Sequence, residues 1–294
     1  MATLPNPLPR LTTDPSGRSL GLRLPPGRLI DATRDGRGPE PLLWQAQMPA
    51  GPGAWAADRP ARRAAGLVPL LVDVGGDQGG PEGWDLAPEE MSYPGDHDAE
   101  EVLADLWEQN AADEQASEGA DYPGREDVVE LFGEPRGYDD TVAPFGPTWP
   151  GLAPAGSLTV DPDVHAATVA GSLTQNLDWF KDPRLALVPA RRSADILAAV
   201  GWTGPLNHEP DTGLLCAVLR SWEDRFGIRV VGVSFDVLVV SVAAPPTTRD
   251  EAEAVAAEHY AFCPDNITQG HHETLREYAA EQVLGERTWT FWWD

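Results

Sequence analysis

The sequence predicts an α+β fold, an α/β sandwich in which helices cover one face of an antiparallel-rich sheet. Residues 228–235 and 237–243 are rich in β-branched side chains and are joined around Asp236, as in a hairpin. Apolar residues at helical spacing precede and follow this hairpin. A short apolar run at 184–188 and an aromatic run at 288–294 supply one strand at each end. The resulting βαββαβ-like order describes a C-terminal domain over 157–294.

Two helices are expected in the first crossover of this domain. Ser193 is placed to cap the first helix, which Gly201 ends. The second begins at Asp211 or Thr212 and ends at Gly227. Its apolar residues recur at helical spacing: Leu215, Val218, Leu219, Trp222 and Phe226.

The sequence also predicts two helices in the second crossover. Thr248 and Glu251 have the spacing of a capping box at the start of the first. A turn at 263–266 separates it from the second helix, which Gly285 closes. The pattern before the core of the domain also predicts a helical segment that opens at Asp161-Pro162.

The first 81 residues predict a small α/β unit. Short apolar runs at 20–24, 29–30 and 42–44 precede an alanine-rich helix at 54–65 and a strand at 67–74. The glycine-rich stretch at 75–81 follows that strand, as phosphate-binding loops do, but no Gly-Lys-Ser/Thr follows and Asp77 would repel a phosphate. We therefore expect a structural or flexible loop.

Negative charge is concentrated between these two parts. Residues 82–140 carry 20 acidic and two basic residues, which accounts for most of the net charge of −26. With the Pro- and Gly-rich linker that follows, they form an insert over 82–156, expected to be a solvated connector or a decoy surface for a basic partner. One helix is predicted inside it, with Val102, Leu103, Leu106 and Trp107 on one face. The predicted core of the C-terminal domain is 182–294.

Composition excludes several classes of protein. A chain this acidic is a poor nucleic-acid binder, because cations that neutralise phosphates supply most of that affinity. The most apolar stretch, 228–244, is too short and too polar to span a bilayer, and the N-terminus lacks a secretory signal. Two cysteines cannot form a disulfide scaffold, so we expect a soluble cytoplasmic protein.

Histidine and cysteine residues near the C-terminus are the first candidates for catalysis and metal binding. His259 and Cys263 are four residues apart, but the paired spacing of a metal site is missing, and neither a metal nor a cofactor is expected. Cys263 with a nearby histidine could instead act as a nucleophile, and Asp265 lies close to it. A buried turn residue is the structural alternative for Cys263.

A polar loop between the first two helices is the second candidate. His208 and Glu209 suit acid–base work and Asp211 suits a cation, whereas the structural alternative is that Asp211 caps the next helix. Trp202 opens the same loop. Arg191 and Arg192 follow the first strand and suit either an anion or a solvated turn.

Tryptophan at the C-terminus is the third candidate. Strand alternation places Trp289, Phe291 and Trp293 on one face, expected to be core, and Trp292 on the other. Because exposed tryptophan is enriched at binding hot spots, Trp292 is a candidate contact residue.

Several segments of the C-terminal part carry a family resemblance. They are Leu187-Val-Pro-Ala-Arg-Arg192, Gly201-Trp202, Asn207-His208-Glu209, Leu219-Arg-Ser-Trp-Glu-Asp-Arg-Phe-Gly227, Phe262-Cys-Pro-Asp265 and Phe291-Trp-Trp-Asp294. In these the chain resembles a bacterial domain-of-unknown-function family over 182–294. The resemblance implies the domain boundary and transfers no activity.

The leading functional hypothesis is a non-enzymatic, cytosolic protein-binding module, of an immunity or regulatory type, whose partner is basic. The alternative is a small-molecule enzyme or ligand sensor that uses the 202–211 loop together with Cys263 and Asp265. The first predicts an exposed apolar patch near the C-terminus, and the second a pocket that joins those two segments.

Overall fold

The computed structural model of the chain describes residues 5–117, 137–176, 180–272 and 274–294. Its strands are β1 (Gly27–Ile30), β2 (Ala32–Thr33), β3 (Gly36–Arg37), β4 (Leu43–Ala46), β5 (Leu67–Asp73), β6 (Pro183–Pro189), β7 (Ile228–Val233), β8 (Val237–Val242) and β9 (Thr288–Trp292). Seven of them form one sheet in the order β1-β4-β6-β5-β7-β8-β9, and β2 pairs with β3 separately. The fold is α+β, as predicted.

Helices of very different length connect the strands. They are α1 (Arg59–Ala64), α2 (Ala99–Ser117), α3 (Tyr138–Thr141), α4 (Pro162–Leu173), α5 (Ile196–Val200), α6 (Thr212–Phe226), α7 (Arg249–Phe262), α8 (Asp265–Thr268) and α9 (Leu275–Tyr278), which continues as a π-helical turn over Ala279–Val283. Thr248 and Glu251 form the predicted capping box of α7. The run at 20–24 is not a strand: Arg18–Leu20 forms a 3-10 turn, and the residues after it pair with no strand.

The main sheet combines the two ends of the chain. Strand β5 pairs with β6 in antiparallel register from Leu67 opposite Pro189 to Asp73 opposite Pro183. On its other side β5 runs parallel to β7, with Leu71 opposite Gly232. The C-terminal strands therefore follow one another along the chain as predicted. In the sheet, however, the N-terminal strand β5 lies between β6 and β7.

Helices lie on both faces of the sheet rather than on one. Val239 of β8 packs with Val169 of α4 in one buried cluster. The next residue of β8, Val240, lies opposite Trp289, and the Trp289 ring contacts Trp222 of α6 at a centroid distance of 5.6 Å. Because successive strand residues face opposite sides, α4 and α6 cover different faces. The central strands β7 and β8 are apolar at nearly every position, so both faces of the sheet are apolar. Helices on both sides bury these faces.

The chain divides into two compact units that are discontinuous in sequence. The first comprises Met1–Ala99, Gly156–Ala244 and Arg287–Asp294 and contains the whole main sheet. The second comprises Glu100–Ala155 and Pro245–Glu286, and the regular elements among its described residues are all helices. The expected units, an N-terminal unit, an insert and a C-terminal domain, are each continuous along the chain. The observed units are not, because strand pairing joins segments that are far apart in the chain.

The second unit is built from the acidic insert and the second crossover. Trp107 of α2 is buried and packs edge-to-face on Tyr260 of α7, with ring centroids 5.3 Å apart. The Asn110 side chain donates to the Tyr260 carbonyl at 3.1 Å. In the Pro- and Gly-rich segment, the Ala153 N–H donates to the buried carboxylate of Glu258 at 2.7 Å. Helix α2 is therefore packed into a core, as its apolar face predicts, and the Pro- and Gly-rich segment joins that core at Ala153. Residues 118–136 of the insert lie outside the described residues.

The apolar face predicted for α2 is confirmed: Val102, Leu103, Leu106 and Trp107 are all buried.

Across the part of the chain that the structure describes, no helix combines the length and hydropathy required to span a membrane.

Candidate binding site

The C-terminal strand buries one face and opens the other. Trp289, Phe291 and Trp293 are at most 2% exposed, whereas Trp292 is half-buried. This alternation is the one the sequence predicts. Trp292 consequently faces away from the aromatic core and towards a cavity.

This cavity, called here the aromatic cavity, has a volume of about 570 Å³ and lies entirely within the first unit. Its aromatic wall is formed by Phe180, Phe235 and Trp292. Its charged residues are Asp73, Asp77, Lys181 and Asp236. A volume of this size is typical of a ligand or side-chain pocket.

The cavity lies where the parallel strands β5 and β7 end. Asp73, the last residue of β5, is buried and accepts hydrogen bonds from the backbone N–H groups of Gly75, at 3.2 Å, and Asp182, at 2.7 Å. Gly75 packs so closely on Lys181 that an added Cβ would lie 2.6 Å from the Lys181 Cβ. The Asp73 carboxylate therefore fixes the start of the glycine-rich loop and brings Asp77 to the cavity.

The β7–β8 turn supplies the opposite side. The Ser234 hydroxyl donates to the Asp236 carboxylate at 3.0 Å, and the Trp293 backbone N–H donates to the Asp236 carbonyl at 3.1 Å. The Ser234 carbonyl accepts from the indole Nε1 of Trp202 at 3.0 Å. These bonds hold the turn so that Phe235 remains 37% exposed beside Trp292.

The charge of the aromatic cavity is negative. Among the described residues that line it, three carry a carboxylate and one, Lys181, carries an ammonium group. Asp77 lies on the exposed loop, so its carboxylate is accessible to a ligand. An aromatic wall beside carboxylates suits an organic cation, which the ring faces and the negative charges both attract.

The loop 202–211 is mainly structural. Trp202 is 1% exposed and packs edge-to-face on Trp293 at a centroid distance of 5.6 Å. Asp211 accepts from the Gly213 N–H at 2.9 Å and so caps α6, the structural alternative that the sequence offers.

The acid–base candidates of this loop also make local contacts. Glu209 accepts from the Asp211 N–H at 2.8 Å. Burial raises the pKa of Glu209, that hydrogen bond opposes the rise, and the nearby Asp211 charge adds to it. His208 is half-buried, and its backbone N–H donates to the Pro205 carbonyl at 2.8 Å. These contacts define a hydrogen-bonded turn before α6.

Cys263 and Asp265 belong to the second unit, whereas the 202–211 loop belongs to the first. Cys263 is 0% exposed, and its Sγ lies 3.5 Å from the Asn266 side-chain oxygen. Asp265 is also buried and accepts from the Gln269 side chain at 3.0 Å. Both side chains therefore stabilise the turn that follows α7.

His259, which the sequence places four residues before Cys263, is fully buried. Its Nδ1 lies 3.1 Å from the Tyr278 hydroxyl, and burial lowers its pKa to about 3. Such a group is neutral and weakly basic at pH 7. Among the described residues, His, Cys, Asp and Glu side chains form no group of three or more that could hold a metal ion.

Arg191 and Arg192 lie at a second cavity of the first unit. Arg192 pairs with Glu223 at 3.1 Å and with Asp224 at 2.5 Å, and Arg191 is exposed in the turn after β6.

Of the residues singled out in the sequence, Trp292 lines the aromatic cavity. The sequence pattern did not predict Phe235 or Lys181 as binding residues, and Asp77 indicated only that a phosphate would be repelled. The sequence feature that could have indicated this cavity is Asp77, which lies in a glycine-rich loop directly after a strand. At such a position its carboxylate can bind a positively charged ligand.

The fold and the cavity define an α+β protein with an acidic, aromatic-walled binding cavity. Residues 184–294 match the model of a family described as a domain of unknown function, DUF4253, which confirms the resemblance to a domain-of-unknown-function family. The matched part contains Phe235, Asp236 and Trp292, whereas Asp73, Asp77 and Lys181 precede it. Comparison with curated proteins and with solved structures gives no match.

Proposed function

We propose that this chain is a non-catalytic protein-binding module whose aromatic cavity receives a cationic side chain from a basic partner protein. One observation carries the proposal: Trp292 and the 37%-exposed Phe235 line the same cavity as Asp77 and Asp236. Exposed aromatic side chains are costly to leave in water, and they are enriched where proteins bind each other.

The charge of the chain supports a basic partner. The net charge of −26 attracts cationic surfaces over long distances and accelerates encounter with them. Within the cavity, a guanidinium or ammonium group would stack on the aromatic wall and pair with an aspartate. An inhibitor or regulator of a basic protein is the role that this combination fits.

The alternative, an enzyme or ligand sensor that uses the 202–211 loop with Cys263 and Asp265, is not favoured by the contacts of those residues. Asp211 caps α6, and Trp202, Cys263 and Asp265 are buried. We therefore place the proposed contact at the aromatic cavity.

The test is the affinity of the full chain for a fluorescein-labelled peptide of alternating arginine and serine, measured by fluorescence anisotropy at several salt concentrations. We expect binding that weakens with salt, because the charges that attract the peptide are screened. Trp292→Ala should weaken it about tenfold without any change in net charge, since a cation–π contact and an aromatic anchor are lost. Asp77→Asn should weaken it by several-fold.

Asp35→Asn is the matched control, because Asp35 is exposed in the same unit but does not line the cavity. It removes the same charge as Asp77→Asn and should change the affinity less than twofold. If W292A binds as the wild type does, or if D35N and D77N weaken binding equally, the peptide is held by general charge and the aromatic cavity is not the site.

A further inference from the structure

A second cavity of the first unit is lined by an unusual number of arginines. This arginine cavity has a volume of about 400 Å³ and is lined by Arg59, Arg62, Arg63, Arg191, Arg192 and Arg229. Among the described residues that line the cavity, two carry a carboxylate, Asp163 and Glu223. Six of the chain's 21 basic residues thus converge at one point of a molecule whose net charge is −26.

The two carboxylates orient three of the arginines. Asp163 of α4 pairs with Arg59 of α1 and, at 2.6 Å, with Arg229 of β7. Glu223 of α6 pairs with Arg229 at 3.2 Å and with Arg192 at 3.1 Å. Each carboxylate is shared between two guanidinium groups, and Asp224, which is not part of the lining, also pairs with Arg192 at 2.5 Å. The network therefore fixes the positions of the three arginines. A site of this kind is organised before its ligand arrives, which lowers the entropy cost of binding.

Arg62 is the most deeply placed arginine of the cavity. Its side chain is 3% exposed, and its terminal nitrogens donate to the carbonyls of Trp55, at 2.8 Å, and Ala54, at 3.1 Å. Its Nε has no hydrogen-bond partner among the described residues, and neither has the indole Nε1 of Trp55, which also lines the cavity. Burial lowers the pKa of Arg62 to about 10. The nearby negative charge of Asp58 opposes this fall. A buried donor without a hydrogen-bond partner remains costly.

We propose that the arginine cavity binds a small molecule that carries a phosphate monoester or diphosphate group. Guanidinium groups match the tetrahedral oxygens of phosphate in bidentate geometry, and six arginines in one lining suit a multiply charged anion. A cavity of about 400 Å³ holds a metabolite rather than a polymer. The acidic chain around it also repels long polyanions such as nucleic acid.

This site is distinct from the aromatic cavity. The two cavities share no lining residue, and they select ligands of opposite charge. Loss of binding at one therefore leaves the proposal for the other intact.

The experiment measures binding of inorganic pyrophosphate to the full chain by isothermal titration calorimetry, with thermal unfolding as a second readout. Arg63 and Arg191 are exposed at the cavity rim, so the double variant Arg63→Gln/Arg191→Gln should keep the fold. Arg18→Gln/Arg23→Gln is the matched control, because both residues are exposed in the same unit and lie outside the cavity.

We expect saturable binding of pyrophosphate and a rise in Tm with its concentration. The cavity variant should weaken that binding at least about tenfold, because charge-assisted hydrogen bonds are lost, while the control should stay within about twofold. Three results would overturn the proposal: no saturable binding to the wild type, equal weakening in the two variants, or tighter binding of citrate than of pyrophosphate.

Discussion

Asp211 joins two segments of the chain that are 119 residues apart. One oxygen of its carboxylate accepts from the backbone N–H of Gly213 at 2.9 Å, which caps α6, and from the backbone N–H of Ser92, also at 2.9 Å. The segment that precedes α2 is thereby fixed to the start of α6, which lies in the family-matched part.

The first prediction follows from this double role. Asp211→Ala should lower the free energy of unfolding by about 2–4 kcal/mol, because it removes a helix cap and leaves the Ser92 N–H without its acceptor. Asp161→Ala is the control: Asp161 is exposed and caps α4 through two N–H groups of its own helix, so its loss should lower the free energy of unfolding less than D211A does. Urea denaturation of both variants measures the difference. Equal losses would show that the Ser92 contact adds nothing to stability.

The second prediction concerns the sheet. A fragment of residues 182–294 should not fold by itself, because β6 pairs only with β4 and β5 among the described strands, and β5 also covers the outer edge of β7. We expect no cooperative thermal transition and poor dispersion of its amide NMR signals. Addition of a fragment of residues 1–176 should restore both. A cooperatively folding 182–294 fragment would contradict the prediction.

The third prediction is a pH dependence centred on His259. Its pKa is about 3 in the folded protein against 6.5 in the unfolded chain, because the ring is fully buried. The unfolded state therefore binds the proton more readily, and the stability contributed above pH 6.5 is lost as pH falls towards 3. The loss for this one group reaches about 1.4 kcal/mol per pH unit.

The measurement is the free energy of unfolding between pH 4.5 and 7.5 for the wild type, His259→Gln and His271→Gln. H259Q should flatten the pH dependence even where its overall stability is lower. His271 is exposed, so H271Q should retain the wild-type slope. A slope in H259Q as steep as that of the wild type would assign the acid sensitivity to other groups.

The fourth prediction concerns thiol reactivity. Cys216 and Cys263 are both 0% exposed, and burial raises the pKa of Cys216 to about 12. Because the thiolate is the reactive form, neither should react readily with Ellman's reagent at pH 8 in the native protein. In denaturant both should react. Rapid release of one equivalent from the native chain, abolished by Cys263→Ser, would instead support a nucleophilic role for Cys263.

Much of the local structure could be predicted from sequence because its causes are local. The capping box of α7, the Asp211 cap, the buried face of α2 and the alternation around Trp292 depend on residues within a few positions of each other. The candidate sites were harder to predict from the sequence, because both cavities are lined by residues from distant segments of the chain. Arg191 and Arg192 were recognised as an arginine pair, but Arg62 and Arg229, which complete their cavity, lie far away in the sequence.

By itself, the sequence determined the class of fold, the order of the C-terminal strands and helices, and the burial of Trp289, Phe291 and Trp293. Only the tertiary structure decided that β5 separates β6 from β7, that helices cover both faces of the sheet, and that parts of the acidic insert belong to a helical core. The physical reason is that propensity, capping and periodicity are short-range. Strand partners and the convergence of like charges depend on which distant surfaces pack together.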